Sequence, residues 1–374
     1  MGKKILVITG RHPKDGMGGA EVQAYFIARG LKELEDNTIF CAVDSDYETA
    51  ETIEGGLEYI SLNSKKILLS RMWDFYRLLK KQKPGVIYVR TLYSFWWINL
   101  IGKVLKIPTL YHVSSITHCQ YLTWHEFHTW TRDKHWLKYL KKMVKQNFYV
   151  FNSRFASAMV CQTHEQVQML EKNFEREGIL IRSGQPLPPR FPDKPEKEFR
   201  VVWVGKYWKN PEIFSDLARK FSGKNDMQFW MIGIFPEKDA RPFSRMEREV
   251  ANFKFIGELS HDGVEKKLDE THVLINTSEY EGFSNTFIEA WMRGVPVISL
   301  KVNPDNLLAT EEIGFHSQSI EQMEKDLLRL CEDRELYRRY SQNSYKYAAE
   351  HHDMKKMARQ IWELVNRSAE GNQA

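Results

Sequence analysis

Short apolar runs separated by helical patterns dominate this chain, and they come in two series. "KILVIT", "NTIFCAV", "LEYISL", "GVIYVR", "TLYHV", "AMVCQ" and "ILIRS" run through the first half. "RVVWVG", "MQFWMIG", "FKFIGEL", "HVLINTS" and "VPVISL" run through the second. Helical patterns lie between them, such as 20–35 and 64–83, then 211–222, 241–252, a short one from 262, and 286–293. A strand that is apolar along its length must be covered on both faces, which is the condition of a parallel sheet flanked by helices. The alternation therefore predicts βαβ units, and its restart predicts two doubly wound α/β domains. A length of 374 residues also exceeds what one hydrophobic core usually supports.

The segment "SGQPLPPRFPDKPEKEF", residues 183–199, is rich in proline and charge and interrupts the alternation. It separates a first domain, 1–185, from a second, 200–354, with 186–199 as the linker. From 320 to 367 the pattern is helical and polar, and the last helix, about 355–370, is free to pack back on the first domain. Two doubly wound domains are expected to leave a cleft between their strand ends, where ligands of such folds bind.

No apolar run approaches the ~20 residues of a membrane span. The opening "MGKKILVITG" has a basic flank, but its apolar part is only "ILVI" and a turn follows, so a first strand is predicted instead of a signal peptide. Cys41, Cys119, Cys161 and Cys331 have no paired or metal-type spacing, which suits free thiols in a reducing cytoplasm. The net charge of +5 is uneven: residues 1–190 carry 27 Lys/Arg against 18 Asp/Glu, or +9, and the remainder is −4. The first half is therefore expected to face something anionic. Its helical stretch 64–83 sets seven basic residues against Asp74 alone, beside an apolar face of Ile67, Leu68, Met72, Phe75, Leu78 and Leu79. "WLKYLKKMVKQNF", 136–148, repeats that character. Both stretches read either as solvated basic helices packed on their own sheet or as a face for anionic lipid head groups. No nucleic-acid-binding module is recognisable, so no nucleic acid partner is expected.

The densest chemistry lies in "EYEGFSNTFIEAWMRGVPVIS", residues 279–299. Gly294 and Pro296 stop its helix. Thr286 and Glu289 fit a capping box, with the threonine at the cap. A second reading stays open beside it. Gly282, Ser284 and Asn285 keep the helix entrance small and polar, and free amides there with the helix dipole suit a diphosphate. Glu281 would then reach the site from one side, and Glu289, one turn into the helix, would accept bonds from ribose hydroxyls.

This loop resembles the E-x7-E signature of retaining GT-B glycosyltransferases, the family 4 and group 1 type that contains sucrose synthase and bacterial lipid mannosyltransferases. Three other stretches support the resemblance in the same order along the chain. "GMGGAE", 16–21, stands where the family has a Gly-rich loop close to donor phosphates and acceptor, which implies Gly18 and Gly19. "VWVGKYWKNPEIF", 202–214, stands where the family carries an Arg and a Lys on the donor diphosphate. Here Lys206 takes the Arg position and Lys209 comes slightly early, and lysine lacks the bidentate fork of arginine. "TLYHVSSITHC", 109–119, places His112 where the family has a histidine on the donor sugar, with His118 as the competing candidate. "VNPDNLL", 302–308, resembles the segment that follows the Gly-Pro strand.

The resemblance implies a GT-B fold, two Rossmann-like domains facing each other across a cleft, with donor on the second and acceptor on the first. It implies a catalytic set of Glu281, His112, Lys206 and Lys209. Donor binding would fall to Gly18, Gly19, Gly282, Phe283, Ser284, Asn285, Thr286 and Glu289. Neither cofactor nor metal is expected, the nucleotide diphosphate sugar being a substrate. The expected reaction is retaining transfer from a UDP- or GDP-linked sugar to an acceptor hydroxyl of a lipid-linked or cell-surface glycan precursor. The expected place is the cytoplasm, with peripheral attachment to the inner face of the membrane through 64–83 and 136–148. An epimerase of the same fold, or an inactive sugar-nucleotide or membrane-surface binding protein, is the alternative. "DSD" (44–46) reads as a polar loop, and "HEFHTW" (125–130) and "EHHD" (350–353) lack three convincing metal ligands.

Overall fold

The computed structural model describes residues 4–12, 18–34, 37–45, 50–53, 56–63, 66–90, 97–121 and 155–370, with single positions between 140 and 151. The chain forms two compact units, Met1–Pro186 with Met354–Ala374, and Leu187–Asp353.

The first unit is built on eight strands: β1 (Ile5–Thr9), β2 (Thr38–Ser45), β3 (Ala50–Ile53), β4 (Leu57–Asn63), β5 (Val86–Val89), β6 (Thr109–His112), β7 (Ala158–Cys161) and β8 (Gly178–Leu180). They lie in the order β3-β4-β2-β1-β5-β6-β7-β8, all parallel except β3, which runs antiparallel to β4. β3, "AETI", lacks the apolar run that marks the other strands and is not legible in the sequence. Successive residues of β1 face opposite sides, as pleating requires. Leu6 and Ile8 join Phe75, Trp97 and Tyr111 in one core, while Ile5 and Val7 join Ile27, Leu31 and Ile361 in the other. Each such side chain contributes roughly 1.5–3 kcal/mol on full burial.

Helices α1 (Gly19–Leu34), α2 (Leu68–Gln82), α3 (Trp97–Val104) and α4 (His164–Phe174) belong to this unit, as does the C-terminal helix Met354–Glu370. The return of that helix depends on Gly30 of α1. A Cβ there would stand 2.6 Å from the Ala358 Cβ and 3.2 Å from the Met354 carbonyl oxygen, so only glycine permits so close an approach. The amide of Met354 donates to the Gln185 carbonyl at 3.0 Å, fixing the crossing point.

The apolar face expected of 64–83 needs correction. Phe75, Leu78 and Leu79 of α2 are buried and Met72 packs on the core. Ile67 and Leu68, however, are exposed, the first at 75%, and so are Leu69 at 74% and Trp73 at 60%. The helix starts only at Leu68, so Ile67 is its cap residue and never turns toward the sheet. Most of 136–148 lies outside the described residues, as do Lys65, Asp46 and the 125–130 histidines.

The second unit carries six parallel strands: β9 (Phe199–Lys206), β10 (Met227–Ile234), β11 (Phe253–Gly257), β12 (Val273–Asn276), β13 (Val297–Ser299) and β14 (Gly314–His316). Their order is β11-β10-β9-β12-β13-β14, so the winding reverses between β9 and β12. That reversal opens a crevice at the carboxyl ends of the two strands, the usual ligand position of an open α/β sheet. Helices α5 (Pro211–Lys220), α6 (Glu237–Glu249), α7 (His261–Asp269) and α8 (Asn285–Trp291) connect the strands, and helices Ile320–Glu332 and Arg334–His351 complete the layers. Trp203, Phe214, Phe229 and Phe253 fill one face, and Val202, Leu274, Phe287 and Trp291 the other. Residues 187–199 sit on this unit: Leu187 packs on its core, and the Lys194 ammonium donates to the carbonyls of Leu268 (2.9 Å) and Asp269 (3.1 Å) at the end of α7. No helix among the described residues is long and apolar enough to cross a membrane.

His118 is fully buried, with its Nδ1 3.1 Å from the Tyr111 hydroxyl, and burial pushes its pKa down to about 3. The folded state therefore refuses a proton that the unfolded chain takes up below an ordinary value near 6.5. Stability from this group is intact above that value and falls as pH drops toward 3, by about 1.4 kcal/mol per pH unit. Denaturant titrations at neutral and at mildly acid pH should show this loss, and His118→Gln should flatten the pH slope whatever it does to stability at neutral pH. An unchanged slope would remove His118 from the account of acid sensitivity.

Candidate active site

Two loops flank the reversal of the second sheet, one leaving β9 and one leaving β12. The indole Nε1 of Trp203, buried in β9, donates to the Thr277 hydroxyl at 2.8 Å. That hydroxyl donates in turn to the Lys209 carbonyl at 2.5 Å. The Asn210 amide nitrogen donates to the Thr277 carbonyl at 3.2 Å, and Asn210 takes a left-handed conformation (φ 51°) just before Pro211 opens α5. The Lys209 amide closes a tight turn on the Lys206 carbonyl at 2.9 Å. Both lysines are thus held at the carboxyl edge of the sheet.

The side chain of Lys209 crosses to the other loop. Its Nζ lies 2.5 Å from Glu281 Oε1, the same oxygen that accepts the Ser278 hydroxyl at 2.8 Å. Lys206 makes no ion pair among the described residues; its ammonium lies over the exposed Trp208 ring at 5.3 Å, and Tyr207 meets Trp208 edge-on at 4.9 Å.

The capping box expected of Thr286 and Glu289 is not formed. The cap residue is Ser284, the helix begins at Asn285, and Glu289 therefore comes too late in α8 to bond back to the cap. The cap makes no side-chain bond to the helix amides; the hydroxyls of Ser284 and Thr286 bond each other at 2.8 Å instead. The Phe287 amide is taken by the Ser284 carbonyl at 3.2 Å. Gly282 lies in the bend before this entrance, partly buried. The Phe283 ring packs in the core against Trp291 and His352, so the residue brings its backbone to the loop. The same packing makes His352 of "EHHD" a buried core residue.

Glu289 is buried, and His261 Nε2 stands 3.6 Å from its carboxylate. His261 opens α7 behind the cap Ser260, whose hydroxyl accepts the Gly263 amide at 3.2 Å. Arg293, also buried, pairs with Glu265 at 2.8 Å and Asp269 at 3.2 Å, so α7 is clamped against the segment that ends α8. His261 is the site neighbour that sequence reasoning passes over: "LSHDG" signals only a helix start, and its carboxylate partner is 28 positions away. His261, Asp262 and Glu265 are the one group of metal-type ligand atoms among the described residues, within 4.8 Å of one another. Arg293 already neutralises Glu265 there, which disfavours a second cation.

The remaining expected residues belong to the first unit. Gly19 is the first residue of α1, and a Cβ on Gly18 would fall 2.2 Å from Glu21 Oε2, so glycine at 18 lets that carboxylate fold back on the loop. Gly16 lies outside the described residues. His112 ends β6 fully buried, its Nδ1 2.7 Å from the Tyr88 hydroxyl. Burial, and then the charge of Arg90, hold its pKa well below the ordinary histidine range, so it is a neutral imidazole. Arg90, at the end of β5, is itself buried, with Nη2 donating to Gln162 Oε1 and the Ser183 hydroxyl, both at 3.2 Å. Burial lowers its pKa to about 10 against the opposing charges of Tyr88, Tyr111 and Glu21. The sequence shows Arg90 only as the polar end of an apolar strand.

Solved structures with this fold span nearly the whole chain. A structure of Anabaena Alr3699/HepE in complex with UDP matches with a TM-score of 0.74 at 15% identity, over 97% of this chain and 100% of that one. Sucrose-phosphate synthase from Thermosynechococcus elongatus matches with a TM-score of 0.71 at 16% identity, over 98% and 99%. WaaG, a glycosyltransferase involved in lipopolysaccharide biosynthesis, matches with a TM-score of 0.68 at 14% identity, over 96% and 99%. At such identities the likeness establishes a shared fold, the GT-B arrangement of two Rossmann-like units. No curated protein matches by sequence. Residues 17–179 match the family description "Glycosyltransferase Family 4" and residues 189–347 match "Glycosyl transferases group 1". Between them these two matches take up most of the chain, and the chain belongs to this family of GT-B glycosyltransferases.

Proposed function

We propose that the chain is a retaining glycosyltransferase that moves a sugar from a UDP- or GDP-linked donor to a hydroxyl of a lipid-linked or cell-surface glycan precursor. The observation that carries this reading is the meeting of Lys209 and Glu281 at the reversal of the second sheet, with Lys206 at the adjoining strand end. UDP and UDP-glucose in structures of the similarly folded HepE protein support a nucleotide diphosphate sugar as donor.

Breaking the donor's glycosidic bond leaves growing negative charge on a diphosphate. Lys206 and Lys209 are cations at a fixed strand edge, suited to stabilise that charge where it develops. Glu289, buried beside His261, offers carboxylate oxygens to ribose hydroxyls. Glu281 orients the donor sugar. Retention follows if the acceptor attacks from the face the diphosphate leaves, with a phosphate oxygen taking the acceptor proton. No metal is needed for such a mechanism, and EDTA should leave turnover intact.

A thermal-shift panel of UDP-, GDP-, ADP- and dTDP-sugars tests the donor. A true donor at 100 times its Kd should add ~2.7 kcal/mol of stability. Glu281→Ala should abolish most turnover while nucleoside diphosphate still binds; full turnover in that variant would remove Glu281 from the mechanism. Lys206→Ala removes a charge-assisted contact, so affinity should fall about tenfold or more for the nucleoside diphosphate and stay level for the bare nucleoside. Equal loss for both would point to a damaged loop instead.

The acceptor side has its own test. The first half of the chain carries the positive charge, and α2 with its cap residue Ile67 exposes Ile67, Leu69 and Trp73 on a helix that also carries the exposed Lys80 and Lys81. Exposed apolar residues flanked by lysines match an interfacial surface for anionic lipid, at ~1 kcal/mol per basic residue near the membrane. Sedimentation with acidic vesicles should show binding that fades with salt and weakens in Trp73→Ser and in Lys80→Glu/Lys81→Glu. Absence of binding at low salt would favour a water-soluble acceptor.

A further inference from the structure

We propose that Lys209 has two alternative partners: in the free enzyme it holds the Glu281 carboxylate, and a donor diphosphate takes the ammonium over, releasing Glu281 toward the donor sugar. The proposal rests on the reading that the second unit's strand reversal holds the donor diphosphate.

The geometry around the pair leads there. Both side chains are only partly exposed, 23% for Lys209 and 16% for Glu281, so the pair is less screened than a surface contact. One carboxylate oxygen takes both the Lys209 ammonium and the Ser278 hydroxyl, so Glu281 keeps a second anchor when the lysine departs. Ser278 is itself buried and lies 3.4 Å from the Asn276 amide nitrogen, whose Oδ1 accepts the Ser299 hydroxyl at 3.2 Å. The carboxylate is thus tied to the ends of β12 and β13 through polar contacts that do not include Lys209.

The lysine backbone, by contrast, cannot move far. Its carbonyl is held by Thr277 at 2.5 Å and its amide by Lys206 at 2.9 Å. Exchange of partner is therefore a side-chain rotation, which a four-carbon stem with three rotatable ammonium donors allows. Lys206 plays a different part. It faces an aromatic ring and, among the described residues, no carboxylate, so it meets an incoming diphosphate without an ion pair to break. Were Lys209 to bridge both anions at once, its single charge would be divided between Glu281 and the diphosphate. Exchange gives the whole charge to the diphosphate and leaves Glu281 on its Ser278 contact, free to turn toward the donor sugar, only when a diphosphate has arrived.

A distinctive consequence is that an inactive variant should bind the diphosphate better. In Glu281→Gln the lysine is free in advance. Inorganic pyrophosphate, which commits to no base, and UDP are titrated calorimetrically against the wild type, Glu281→Gln, Lys209→Ala and the double variant, each first shown to unfold cooperatively. Glu281→Gln should bind roughly threefold to tenfold tighter than wild type, within the coupling found for side chains in contact. Lys209→Ala should bind more weakly, and the double variant should match Lys209→Ala, because the gain acts through the lysine. Unchanged affinity in Glu281→Gln, or the same gain in the Lys209→Ala background, would overturn the exchange; the second result would show only that removing a negative charge helps any anion. The underlying reading fails separately: the wild type would bind neither ligand, or Lys206→Ala would leave both affinities unchanged.

Discussion

A single threonine hydroxyl keeps the proposed donor site in one piece. Thr277 Oγ1 accepts from the Trp203 indole and donates to the Lys209 carbonyl, joining a buried strand to the two loops that leave either side of the sheet's reversal. Lys206 is held by the sheet as the last residue of β9, and the stitch fixes the Lys209 backbone to the same buried strand, where Trp203 is 1% exposed. Preorganisation of this kind lets fixed charges stabilise a leaving group without reorganising during the reaction.

The two units solve the same topological problem with different chemistry. Each sheet winds outward from a central pair of parallel strands, β1 and β5 in the first and β9 and β12 in the second. At the second reversal the charged groups are partly open and paired across loops. At the first they are buried: Arg90 is bonded to Gln162 and Ser183, and His112 to Tyr88. Burial of that order lowers the basicity of both, so the first unit presents a neutral imidazole where an ordinary surface histidine would titrate near neutrality.

Much of the fold was legible because its strands are apolar throughout, a pattern that parallel sheets impose and loops rarely mimic. β3 and β14, three or four residues each and partly polar, carry too little of that pattern to be seen. The candidate site shows in the sequence as two glutamates at a local spacing, and its two lysines only through the family resemblance. What spacing cannot show is tertiary. The Lys209–Glu281 contact spans 72 positions, His261 reaches Glu289 from another helix, and Phe283 turns inward although both its neighbours belong to the loop. The cap falls two residues before the one the capping box predicts: Ser284 and Thr286 are both competent cap residues, and their hydroxyls bond each other instead of the helix amides.

The central claim is that the reversal of the second sheet is where a nucleoside diphosphate lies. Crystals of the chain grown with UDP, and separately with GDP, test it most directly through the position of the two phosphates. The account predicts phosphate oxygens within hydrogen-bonding distance of the Lys206 and Lys209 ammonium groups, with the ribose against Glu289 and the Lys209–Glu281 contact opened. A nucleotide bound away from these residues, or a diphosphate at this edge with neither lysine touching it, would contradict the account.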